Sequence, residues 1–193
     1  MSSNLIKRVF FPRPDVPGTP WTKIASETTR FYLPSSGSSE VSPTFDAGWE
    51  DTSISSRLRA VTTRISSAMT TVSFTDADGT DRDILFRQYV SDPLVVQTIP
   101  GQTIRLQVRG RETLATQDMF LTWSVKVVSE DGGTVRGTLA SIRRDGTELD
   151  TVLTNRGDSA PADSITLQSR DRLVFEIGTG GDPLVSHDTD LSI

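Results

Sequence analysis

Short segments of alternating apolar and polar residues, divided by turn signals, recur along the chain from Thr71 onward. In residues 120–128, Leu121, Trp123, Val125 and Val127 alternate with Thr122, Ser124, Lys126 and Val128. That period of two belongs to a strand with one buried face. Glu130-Asp131-Gly132-Gly133 follows, with residues that tolerate the positive φ of a tight reversal. Residues 134–142 return rich in β-branched side chains, so the pattern predicts a hairpin over 120–142.

The same reading extends in both directions. Ile104, Leu106 and Val108 face one way and Arg105, Gln107 and Arg109 the other, the mark of a sheet with one face in the core and one in solvent. Residues 29–33, 71–74, 84–90, 149–154 and 172–178 read as further strands, the last with Leu173, Phe175 and Ile177 inward. Asp-Gly signals predict a hairpin tip over 76–83, between strands at 72–74 and 84–86, and a second turn over 143–147. Residues 155–164 read as a polar loop. Ser and Thr are dense over 41–74 and compete for backbone hydrogen bonds, which disfavours a helix there. The expected fold is all-β: an antiparallel, jelly-roll-like β-sandwich of about eight strands.

Residues 1–28 differ from the rest. Pro12, Pro14, Pro17 and Pro20 fix φ and remove four donors, so this stretch reads as an extended arm ahead of a sandwich over 29–193. Over residues 1–30, Lys7, Arg8, Arg13, Lys23 and Arg30 against Asp15 and Glu27 give +3, which leaves −8 for the remainder of a chain whose net charge is −5. Phe10, Phe11 and Trp21 are too apolar to leave in water. The arm either folds onto its own domain or docks on a neighbouring subunit through Lys7, Arg8, Phe10, Phe11, Arg13 and Trp21. Arg105, Arg109 and Arg111 form a basic stripe, either a solvated face or a seam against an acidic partner.

Composition narrows the chemistry. The 193 residues suit one domain, or one domain with an arm. Net negative charge argues against general nucleic-acid binding. The absence of Cys excludes disulfides, thiol catalysis and Cys-ligated zinc. No apolar run approaches the roughly 18 residues of a membrane span, and Pro12 cuts the Phe10-Phe11 patch too short for a signal peptide. His187, the one histidine, lies in a polar tail and makes a poor catalytic base. The acidic residues of 76–83 invite a calcium reading, but their spacing misses the EF-hand template and a turn explains them. Arg156-Gly157-Asp158 matches an adhesion tripeptide, a match too short to carry weight. No cofactor, metal or enzymatic activity is expected.

FYLPSSGSSEVSPTFDAGWEDTS, RLRAVTTRISSAMT, RQYVSDPL with QTIPGQTIRLQVRGRET, VKVVSEDGGTVRGTLAS, and LTNR ahead of RDRLVFEIG occur in this order between Phe31 and Gly178. Together they resemble structural virion proteins of tailed bacteriophages, over about three quarters of the chain. The resemblance implies a non-catalytic virion component at the capsid surface, most like a decoration (cement) protein. It would bridge major capsid protein subunits, commonly as a homotrimer, with no direct nucleic-acid or membrane contact. The alternatives are a tail-fibre or receptor-binding module that takes glycans, with Tyr32, Asp46 and Trp49 as candidates, or a tail or connector subunit. In that group further strands follow the one matching residues 172–178. Here the tail has no evident closing strand, so the arm or a neighbour is expected to complete the sheet.

Overall fold

The computed structural model describes residues 9–12, 28–52, 57–64, 71–74, 80–181 and 189–192. Fourteen strands and no helix are found among them: β1 (Val9–Pro12), β2 (Thr28–Phe31), β3 (Asp51–Thr52), β4 (Arg57–Ala60), β5 (Thr71–Phe74), β6 (Arg82–Ser91), β7 (Gln97–Ile99), β8 (Gln102–Glu112), β9 (Met119–Val128), β10 (Val135–Glu148), β11 (Thr154–Ala162), β12 (Ile165–Leu167), β13 (Arg172–Gly181) and β14 (Thr189–Ser192).

Two sheets carry the architecture. One runs β10-β9-β13-β6, with β3 and β4 added parallel to β6; the other runs β11-β8-β14-β5. Four antiparallel pairs, β5 with β14, β6 with β13, β8 with β11 and β9 with β10, match each early strand to its counterpart in reverse order. This is a long double-stranded ribbon rolled up, closed within the two sheets by β8–β14 and β9–β13. The order is that of an eight-stranded jelly roll. The short β7 and β12 pair with each other and carry the β8–β11 ladder onward.

The expected 120–142 hairpin is the tip of that ribbon. Ser129 N–H donates to Thr134 O at 2.8 Å, Gly132 takes a φ of +77°, and Asp131 Oδ1 accepts from Ser129 Oγ and Gly133 N. Strand β13 is buried along its whole length. Between the sheets pack Phe86, Tyr89, Leu121, Trp123 and Phe175, with Phe31 against Phe175 at 5.2 Å between ring centres.

Several expectations are corrected. Strands β5 and β6 lie in different sheets, so they form no hairpin, and residues 75–79 of the expected tip lie outside the described residues. The Asp145-Gly146 turn is absent: β10 runs through it, absorbing extra residues as register shifts against β9. The polar loop is in fact β11, and its Pro161 is tolerated because β11 is an edge strand. The sheet closure expected from an arm or neighbour is supplied by β14, which pairs on both sides and buries Leu191. Residues 149–154 are mostly a connection rather than a strand.

Candidate assembly surface

Strand β9 departs most from its expected one-sided burial: Thr122, Ser124 and Lys126, on the outward face, are all buried. The cause is a strap, residues 40–50, laid across the outside of the β9-β13-β6 sheet. Glu176 of β13 anchors it. Its carboxylate accepts from Trp49 Nε1 at 2.9 Å, from Ser124 Oγ at 2.9 Å, from Gln88 Nε2 at 2.9 Å and from the Asp46 backbone N–H at 3.2 Å. Lys126 Nζ pairs with it at 3.0 Å and also donates to Thr44 O at 2.7 Å; the two side chains are 3% and 0% exposed. Two charges survive such burial only when paired and hydrogen-bonded, as here. Val41 packs on Val90, Val128 and Val174 beside them, and Arg57 reaches both Gln88 Oε1, at 3.1 Å, and the face of Phe45.

One phase change makes this possible. The β6–β13 register slips between Ile177 and Gly178, which leaves Tyr89 in the inner core and turns Gln88 toward Glu176.

Three groups of residues noted in the sequence take structural places. Trp49 and Asp46 face Glu176 through their N–H groups, and Trp49 is buried, so they do not form an exposed glycan platform. Arg156-Gly157-Asp158 lies within β11: Arg156 pairs with Asp145 at 2.7 Å, while Asp158 accepts from Trp123 Nε1 at 2.8 Å and pairs with Arg143 at 2.9 Å. Asp81 and Asp83 are clamped by Arg144 at 2.6 and 2.8 Å, an anchor that sequence reading missed. No group of three or more metal-ligating side chains occurs among the described residues.

The basic stripe forms as expected on β8, with Ile104, Leu106 and Val108 buried beneath it. Its members differ. Arg111 pairs with Asp190 at 2.6 Å, Arg109 donates to Leu153 O at 2.8 Å, and Arg105 stands exposed. The Val9–Pro12 segment of the arm pairs with β2 of the same chain and lies against β8. Lys7, Arg8, Arg13, Trp21 and His187 lie outside the described residues, as do the side chains of Phe10 and Phe11.

No family model and no curated protein matches the sequence. Among solved structures, the chain is similar to one from the infectious bursal disease virus Gx strain, with 12% identity over 97% of this chain and 54% of that one and a TM-score of 0.26. It is also similar to the infectious bursal disease virus VP2 subviral particle, with 17% identity over 100% of this chain and 52% of that one and a TM-score of 0.24. The chain spans about half the length of both. The jelly-roll assignment rests on the strand order, not on these likenesses.

Proposed function

We propose that the chain is a non-catalytic virion structural protein, a capsid decoration protein that bridges and stabilises major capsid subunits as a homotrimer. The observation that carries this reading is the sealed jelly roll. Its interior is filled by large apolar side chains, and the outer face of one sheet is closed by a strap fastened to a buried ion pair. Such a block offers partners its loops, its edges and its arm, which suits a part repeated many times over a shell. The resemblance to tailed-phage virion proteins supports the same reading. Lys7, Arg8, Phe10, Phe11, Arg13 and Trp21 of the arm, with Arg105, Arg109 and Arg111 of β8, are the proposed contacts with sister subunits or capsid. Aromatic and arginine side chains dominate the energy of such contacts.

Deletion of residues 1–22 tests the reading. The truncated chain is expected to keep its strand signature by circular dichroism and lose trimerisation or particle binding in sedimentation. Imaging of particles with the full chain is expected to place it on the head. Normal assembly and decoration by the truncated chain, or density confined to the tail, would overturn it.

A further inference from the structure

At one end of the sandwich the 113–118 and 149–153 connections lie side by side, tied by Glu112 N–H to Asp150 O at 3.1 Å and Leu149 N–H to Met119 O at 2.6 Å. Each exposes an aliphatic side chain, Leu114 at 51% and Val152 at 64%. Leu114 is held in place from below. Buried Gln117 accepts through Oε1 from the Thr113 and Leu114 N–H groups, both at 3.0 Å, and its own N–H donates to Leu114 O at 3.2 Å. A backbone fixed in this way presents the leucine side chain from a set position, so little backbone entropy remains to be lost on docking.

Acidic side chains gather around these two residues, with Arg109 as a basic neighbour that donates to Leu153 O at 2.8 Å. Asp118, Glu148 and Asp150 are exposed, and none forms an ion pair with a basic side chain among the described residues. Glu112, buried at their base, has its carboxyl pushed up chiefly by burial and further by Glu148, Asp118 and Asp150, which places each of the three within electrostatic reach of it. At the opposite end three acids are matched: Asp92 with Arg59, Asp171 with Arg136 and Glu130 with Arg170.

We propose that this acidic, aliphatic end receives the N-terminal arm of a second copy of the chain. The inference rests on the assembly reading above. The arm has both complementary properties: its first thirty residues carry +3 against −8 for the rest, and Trp21 lies among its basic residues beyond β1, which itself pairs with β2 of its own chain. Lys7, Arg8 and Arg13 immediately flank β1. An arm-to-end contact is head-to-tail, and such contacts build closed rings when the rotation closes.

Charge exchange tests it. A Glu148→Lys/Asp150→Lys variant and a Lys7→Glu/Arg8→Glu/Arg13→Glu variant, each checked for parental circular dichroism, are expected to self-associate at least tenfold more weakly by sedimentation. Mixed together they are expected to recover complexes containing both chains. Leu114→Ser should weaken association without altering its salt dependence. If the first variant assembles like the parent while deletion of residues 1–22 abolishes assembly, this docking site is wrong and the assembly reading stands. If the deletion also assembles normally, both fail. Recovery only when all five substitutions share one chain would mean that the arm covers this end of its own domain, which also overturns the proposal.

Discussion

Glu176 and Lys126, on neighbouring strands, form an ion pair at 3.0 Å beneath the strap, and Trp49 and Thr44 of the strap bond to one partner each. Glu176→Gln leaves the ammonium buried without a counter-charge and is expected to cost about 3–5 kcal/mol. Lys126→Met with Glu176→Gln should recover part of that loss, because the uncompensated charge is gone. Urea unfolding of the two single variants and the double decides the matter. Additive costs to within about 0.5 kcal/mol would mean that the pair is not coupled.

Tyr89 is buried in the inner core, and its hydroxyl has no hydrogen-bond partner among the described residues. Burial also holds its ionisation well above the usual tyrosine range. An unpartnered buried hydroxyl carries a desolvation cost of about 1–3 kcal/mol. Tyr89→Phe is therefore expected to hold or raise the unfolding midpoint, and a drop would reveal a partner for the hydroxyl.

Gly178 sits at the β6–β13 register slip, where an added methyl would run into the Ile84 carbonyl oxygen. That neighbour is backbone and cannot rotate away. Gly178→Ala should cost about 1–3 kcal/mol or more, with Gln88 losing its alignment on Glu176. Thermal unfolding reads the loss; parental stability would show that the slip relaxes freely.

Burial is the main cause of the raised Glu112 carboxyl, opposed by the Met119 N–H and reinforced by Glu148, Asp118 and Asp150. For a carboxyl raised on folding, the native state binds more protons than the unfolded one. Stability then falls as pH rises from the ordinary glutamate range through the raised value. Glu112→Gln keeps an acceptor for Met119 and removes that fall. It should be more stable than the parent at neutral pH, with the difference closing at acid pH. An equal difference at both would assign the effect to packing. Asp145 is raised in the same direction, chiefly by burial against the pull of Arg156, and its contribution stays in both proteins.

The strands that alternate cleanly were legible: β8, β9 and β13 lie where periodicity places them, because a pleated strand in a sandwich sorts its side chains by face. What failed has identifiable causes. Lys126 looks solvated until residues 40–50 fold over it, and contact across more than eighty residues leaves no local trace. Asn155 to Ala162 lacks apolar character because an edge strand needs a ladder and only one buried flank. Asp145-Gly146 passes for a turn because a bulge also draws on residues that tolerate irregular backbone. The acidic end was missed for a related reason. Asp118, Glu148 and Asp150 are ordinary surface residues until the rolled ribbon brings their connections together.

That rolled ribbon also sets an order in time. The β9–β10 pair closes across the 129–134 turn, whereas β5 must find β14 across more than a hundred residues. Loop closure makes distant pairings slow, on the millisecond-to-second scale for folds of this kind. The ribbon is expected to zip outward from its tip, with insertion of β14 between β8 and β5 as the late event. Gly132→Ala, strained at its positive φ, should slow folding, while Leu191→Ala should chiefly speed unfolding. Stopped-flow kinetics showing the reverse would refute that order. Until β14 inserts, β8 and β5 lack their shared neighbour, so crowded synthesis exposes two backbone edges on which neighbouring chains can pair wrongly.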